Sequence, residues 1–167
     1  MKKKYLFFIM IFILPLSSFS KDDRFIHIDF FGIFTGAAKA YGQVALNSAK
    51  LAIKEINKVG ILGRKFKLPI RDTKSDPSVA LSVAKDLISE NVDIFVGFHT
   101  SDERLSVKDY IESQNKLYLY TAIYEGRDHG KWTFFSGPIP NQIYGQSIPF
   151  ISKKYGLKRV YLVGSDY

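Results

Sequence analysis

Apolar positions along the chain switch between short dense runs and longer stripes of helical period. Phe25–Gly32 (FIHIDFFG) is rich in β-branched and aromatic residues and ends on glycine, which predicts a buried strand. Beyond a loop over 33–43, Val44, Ala45, Ala49, Ala52, Ile53 and Ile56 recur at helical spacing, and Gly60 supplies a stop. Gly60-Ile-Leu-Gly63 then turns into a second strand over 65–72, where Pro69 predicts an edge position or an irregularity. Asp76-Pro77 reads as an N-cap with proline at the first helical position. Behind it Val79, Ala80, Val83, Ala84, Leu87 and Ile88 form an apolar stripe. The pattern next predicts a strand at 92–97, a helix over 100–114 and a strand at 116–121. In that helix Leu105, Val107, Tyr110 and Ile111 are expected to face inward or half-inward. After a polar loop at 124–131 come a short strand at 132–136 and the break Gly137-Pro-Ile-Pro140. A helix over 141–155 and a strand at 159–164 complete the pattern.

Strands alternating with helices predict an α/β fold, a parallel, doubly wound sheet covered on both faces with right-handed connections. Such sheets bind ligands beyond the carboxyl ends of their strands. Three loops are therefore the places to look for function: Ile33–Ala40, Phe98–Asp102 and Thr121–Gly130. The Pro/Gly cluster at 137–140 is the expected domain boundary.

The N-terminus follows a different pattern. Three lysines precede an apolar run from Tyr5 to Leu16, and Ser18-Phe19-Ser20 forms a small-x-small site. This is the layout of a secretory signal peptide over 1–20, which predicts a periplasmic protein. The run is short for a membrane span of roughly 20 residues, although an uncleaved N-terminal anchor is the alternative. Removing the leader lysines lowers the net charge from +8 to +5. The remaining charge is dispersed, so no nucleic-acid footprint is expected.

Composition narrows the chemistry. With 46% hydrophobic residues, 14 Phe and 10 Tyr, the chain is not of disordered type. Its 0 Cys exclude disulfides, thiolate metal sites, a lipidated cysteine and cysteine nucleophiles. Neither glycine pair, Gly32/Gly36 or Gly60/Gly63, matches a dinucleotide or phosphate loop, and no Gly-x-Ser-x-Gly elbow exists. His27, His99 and His129 lack metal-ligand spacing, and the acidic pairs Asp102/Glu103 and Glu125/Asp128 read as solvated surface. No catalysis, metal or cofactor is expected.

Two features remain. Gly97-Phe-His-Thr-Ser101 places hydroxyls at a helix N-terminus, where free N–H groups favour an anion or a carbonyl oxygen. It reads first as a capping box, with Thr100 as N-cap and Glu103 three residues on, and one hydroxyl can cap while the other faces a cleft. Tyr118 and Tyr120 share one strand face near its carboxyl end, with Tyr124 beyond. Packing under the helices is the expectation for Tyr118, whereas packing and pocket wall are equal readings for Tyr120.

Several motifs are shared with a known family. Glu55-Ile-Asn57, Gly60-Ile-Leu-Gly63-Arg64 and Ser75-Asp76-Pro77 resemble the first lobe of type I periplasmic solute-binding proteins. So do Val96-Gly97 with Thr100-Ser101 and Arg104, Tyr124-Glu-Gly126, Pro138-x-Pro140-Asn-Gln142 and Val163-Gly-Ser-Asp-Tyr167. The last three elements resemble the urea and short-chain amide branch of that family. The resemblance implies a two-lobed clamp that closes on a small molecule and presents it to an ABC permease, with no bond made or broken. Urea or a short amide is the ligand this implies; a branched-chain amino acid, an amide-sensing regulatory module and a non-functional fragment are the alternatives. By motif position Ser101 and Thr100 carry the hydroxyl role, His99 stands where an aromatic lines the pocket, and Tyr120, Ala122 and Tyr124 follow the next strand. Tyr167 matches a tyrosine reaching in from the second lobe. A zwitterion would also need a carboxylate for its ammonium, and the matched loops offer no obvious one.

Family members are more than twice as long as these 167 residues. The expected organisation is therefore a leader at 1–20, a first lobe at 21–136, and a crossover with the start of a truncated second lobe at 137–167. A single helix and strand cannot bury their own apolar faces. Ile148, Phe150, Ile151, Val160, Tyr161 and Leu162 are accordingly expected to be exposed or loosely packed.

Overall fold

Phe25–Gly32 forms strand β1, as its run of aromatic and β-branched residues predicts, and the other described strands are ordered around it. The computed structural model describes residues 24–161, 163 and 164; the leader at 1–20, Leu162 and Tyr167 lie outside the described residues. The segment expected as one strand over 65–72 is two, β2 (Lys65–Lys67) and β3 (Ile70–Asp72), both parallel to β1. Pro69 divides them because it has no N–H to give to a ladder. Its carbonyl instead accepts from the Phe30 N–H at 3.0 Å.

Across β1 the sheet continues through β4 (Ile94–Phe98), β5 (Leu117–Tyr120) and β6 (Thr133–Phe135), all parallel. With β2 and β3 taken as one strand, the order reverses between β1 and β4. That junction is the switch point at which doubly wound sheets hold their ligands.

Helices α2 (Pro77–Ser89) and α3 (Ser101–Ser113) pack together on one face of the sheet. The core lies between them and the strands: Ala80, Ala84, Leu87, Val107 and Ile111 against Phe31, Phe95, Tyr118 and Tyr120. Asp76 caps α2 as expected, accepting from the Ser78 N–H at 2.7 Å and the Val79 N–H at 3.2 Å. In α3 the buried positions are Ser101, Glu103, Arg104, Val107 and Ile111, while Leu105, expected inside, is 64% exposed.

Helix α1 (Lys39–Ile56) covers the opposite face and begins inside the segment expected as loop. Its buried residues are Gly42 and Leu46, whereas Val44, expected inside, is 68% exposed. No helix lies beside α1 on this face among the described residues. Ala45, Ser48, Ala49 and Ala52 instead border an open apolar groove of about 420 Å³ floored by Phe30, Val96, Phe98 and Thr121.

Beyond β6, the helix expected over 141–155 is divided into α4 (Pro140–Tyr144) and α5 (Ser147–Tyr155), and neither buries a residue. The strand expected at 159–164 is absent among the described residues there, because no described strand lies alongside to complete its ladder. Ile148, Phe150, Ile151, Val160 and Tyr161 are all exposed.

Candidate functional site

The loops after β1, β4 and β5 converge at the switch point. Strand β4 closes on β1 through Ile33 N–H to Phe98 O at 3.3 Å, and β5 returns to β4 through Thr121 N–H to Gly97 O at 2.9 Å. The β1 loop is held by Asp72, whose carboxylate accepts from the N–H groups of Phe34, Thr35 and Lys74 and from the Thr35 hydroxyl. Partial burial works against ionisation of Asp72, but these hydrogen bonds prevail and hold its carboxyl below the ordinary range.

Thr100 caps α3. Its N–H donates to Glu103 Oε2 at 2.9 Å, and its hydroxyl sits against the carboxylates of Asp102 and Glu103. The Glu103 half of the capping box is thus present, and Glu103 is fully buried instead of solvated. Ser101, the first helical residue, is 9% exposed and lies beside Tyr120 and Glu125.

His99 departs from the expected wall position. Its ring folds back beneath the end of β4, 4.9 Å from the Phe31 ring and 5.4 Å from the Tyr120 ring, and is 2% exposed. Nε2 lies 2.8 Å from the Tyr118 hydroxyl, while Nδ1 faces the Thr100 carbonyl at 3.4 Å. These partners assign the proton to Nδ1 and make Nε2 the acceptor. Gly97 makes room: a Cβ there would stand 2.6 Å from His99 Nε2 and 2.7 Å from Tyr118 Cε2. Burial pushes the imidazole down to about 4, so it is neutral near pH 7.

Tyr120 is 1% exposed and donates its hydroxyl to the His99 carbonyl at 2.8 Å. Burial raises its phenol to about 12 and lifts that of Tyr118 well above the ordinary tyrosine value, so both stay protonated. Both tyrosines pack in the core, whereas Tyr124 is half-buried and stacked on Phe135 at 4.4 Å.

Arg104 organises this wall. Its guanidinium, 4% exposed, lies 5.1 Å from the Tyr120 ring, 5.7 Å from Tyr124 and 5.8 Å from Phe135. It also pairs with Glu125 Oε2 at 3.1 Å and Asp128 Oδ2 at 3.2 Å. One turn on, Lys108 pairs with Asp128 and donates to the His129 carbonyl at 2.7 Å. A further turn on, Glu112 accepts from the Trp132 N–H at 3.2 Å and the Thr133 hydroxyl at 2.6 Å. Three residues spaced by four thus fasten the whole 125–133 segment to α3. Asp128, expected as solvated surface, is 15% exposed within this network.

The expected site residues therefore separate. Ser101 and Tyr124 meet around Arg104 with Tyr120 behind them, and Ala122 lies half-buried in the same loop. Thr100 serves the helix cap, His99 forms the floor, and Tyr167 lies outside the described residues. Sequence reasoning missed Asp72, Glu112 and Glu125. The readable signal was charge: Arg104 and Lys108 on one helix face, answered by Glu125 and Asp128 in the next loop. These loops together offer hydroxyls, a carboxylate and aromatic surface, chemistry suited to holding a small molecule. No group of three His, Asp or Glu side chains that could hold a metal ion occurs among the described residues.

Known proteins share this fold. The branched-chain amino acid transporter substrate-binding protein LivJ of Streptococcus pneumoniae, solved with isoleucine, superposes with a TM-score of 0.69 at 28% identity. The match covers 77% of this chain and 38% of LivJ. The Leu/Ile/Val-binding protein BraC3 of Rhizobium johnstonii is 34% identical over 84 residues, 50% of this chain and 23% of BraC3. A leucine-, isoleucine-, valine-, threonine- and alanine-binding protein of Pseudomonas aeruginosa is 30% identical over 104 residues, 62% of this chain and 28% of that protein. The chain thus matches only about a quarter of the length of these curated relatives. The family model described as periplasmic binding protein matches residues 26–167, and the chain belongs to that family.

Proposed function

We propose that this chain forms the first ligand-binding lobe of an extracytoplasmic substrate-binding component of an ABC importer, with a branched-chain amino acid as ligand. Residues 21–136 are the lobe in this reading, and 137–167 are the crossover towards a second. The observation that carries it is Ser101 beside Tyr120 and Glu125, next to the segment after β5 that holds Ala122 and Tyr124, in a fold shared with isoleucine-bound LivJ. Ser101 supplies a hydroxyl at the N-terminal end of α3, and Tyr124 supplies an aromatic wall for an aliphatic side chain. A second lobe closing over the ligand would stabilise the closed state through contacts absent in the open one. The closed clamp would then be the form presented to the permease.

The names of the relatives described above favour the amino acid over urea or a short amide. The Tyr124-Glu-Gly126 and Pro138–Gln142 motifs favour the amide, which keeps it as the second reading. Calorimetric titration with leucine, isoleucine, urea and acetamide separates them. Heat with leucine or isoleucine supports the amino-acid reading; heat with urea or acetamide alone overturns it in favour of the amide, and no heat with any of them overturns both.

A further inference from the structure

We infer that the turn between α1 and β2 is a docking tip for an anionic lipid surface. The candidate cleft makes no use of this segment, which lies at the amino ends of the strands, across the sheet from the ligand loops. Its backbone is closed by a reciprocal pair, Ile61 N–H to Arg64 O and Arg64 N–H to Ile61 O, each at 2.9 Å. Asn57 binds both backbone groups of Phe66, donating to the carbonyl and accepting from the N–H, each at 2.8 Å. Arg64 donates to the Phe25 carbonyl at 2.7 Å. These contacts fix the turn to the end of α1 and to the sheet.

What the turn displays is apolar. Val59 is 89% exposed, Leu62 96% and Ile61 46%. Leu62 also sits at φ 50, in the left-handed region that side chains larger than glycine's seldom occupy. The chain therefore carries backbone strain at Leu62 and leaves its side chain in water, and burial within the described residues recovers neither cost. A surface outside the chain recovers both. The surrounding charge selects that surface. From 54 to 67 the sequence carries Lys54, Lys58, Arg64, Lys65 and Lys67 against Glu55, and the four lysines are exposed. Basic side chains around an apolar point match the interface of an anionic bilayer, where hydrocarbon lies just below the phosphates. A protein partner would need about 800 Å² on each side, and a tip with three apolar side chains is too small for that. With the tip attached, the cleft at the other end of the sheet stays open to solvent. The inference stands whichever ligand the cleft takes.

The chain has 0 Cys, so one introduced cysteine carries an environment-sensitive dye at a chosen site. Leu62→Cys puts the dye on the tip, and Leu105→Cys, at an exposed position on α3, is the control. The apolar run at 5–16 can hold the full chain on any vesicle, so the readout is local: the emission shift of the dye and its quenching by brominated acyl chains. The labelled chains are mixed with vesicles of equal parts phosphatidylglycerol and phosphatidylcholine, with phosphatidylcholine vesicles, and with polyglutamate. We expect the dye at 62 to shift to the blue and be quenched on the anionic vesicles only, with the dye at 105 unchanged. Adding Lys58→Gln and Lys65→Gln should lower the ratio of inserted to free dye at 62 at least about tenfold, since each basic residue near an anionic surface contributes roughly fivefold. A response at 62 to polyglutamate alone overturns the lipid in favour of an acidic protein. An equal response on both kinds of vesicle, an equal response at both sites, or none at 62 overturns the docking tip.

Discussion

The Tyr118 hydroxyl stands 2.8 Å from His99 Nε2, with both rings sealed from solvent beneath the candidate cleft. The imidazole there is neutral, and its burial fixes the direction of an acid response. With its folded value near 4 and the ordinary histidine value near 6.5, the unfolded chain binds a proton that the folded ring refuses. Above pH 6.5 the ring is neutral in both states and costs nothing. Stability should fall as the pH drops from about 6.5 to 4, by up to about 3 kcal/mol from this group. Urea unfolding of the wild-type chain and His99→Gln across that range measures it. The wild-type slope should be steeper, and parallel curves would refute the assignment.

Gly97 is tied to the same pair. Gly97→Ala places a methyl 2.6 Å from His99 Nε2 and 2.8 Å from the Tyr118 hydroxyl. Both neighbours are locked in the core, so neither can yield cheaply. We expect a loss of about 1–3 kcal/mol by urea denaturation. A change below about 0.5 kcal/mol, the range of ordinary surface substitutions, would show that the rings can move aside.

Asp72 governs the loop after β1. Asp72→Ala frees the N–H groups of Phe34, Thr35 and Lys74 together. Hydrogen exchange at those amides should accelerate by at least about fivefold, the factor for losing roughly 1 kcal/mol of hydrogen bonding, while β4 amides are unaffected. Its lowered carboxyl stabilises the fold fully above the ordinary value near 4, and that contribution is lost as the pH falls below it. Equal exchange in wild type and variant would exclude this role.

The two sheet faces should respond differently to substitution. Phe95, fully buried under α2 and α3, should cost about 3–5 kcal/mol when changed to Ala. Phe134 is 56% exposed on the face that α1 covers only in part, and Phe134→Thr should stay within about 1 kcal/mol. Thermal unfolding of the two variants beside wild type distinguishes the faces, and comparable losses would contradict the packing.

Local pattern carried much of this structure. The α2 stripe behind Asp76-Pro77 and the aromatic density of Phe25–Gly32 each encode their element within a few residues, and both elements formed where expected. Pro69 signalled its irregularity, and the strand divided there. What failed depended on neighbours distant in sequence. Val44 and Leu105 lie on apolar stripes, but a stripe does not say whether a second surface will cover it. The strand expected at 159–164 needed a partner that the described residues do not provide. His99 was legible as a cleft residue from its place in the loop, but its burial depends on Gly97 and Tyr118 making and filling the space. The Glu125/Asp128 pair read as surface because its cations lie some twenty positions away, on a helix face that only the fold brings near.

The spacing of Arg104, Lys108 and Glu112 has a consequence for how this lobe can diversify. These side chains bear the mechanical burden of the segment after β5 at Glu125, Asp128, Trp132 and Thr133. Ala122 and Ile123 lie ahead of the first fastening, whereas the Tyr124 ring packs over Arg104 itself. On the proposed reading Ala122 and Ile123 form a short exchangeable cassette, in which ligand preference could be rewritten by substitution while the anchoring behind it continues to hold the segment in place.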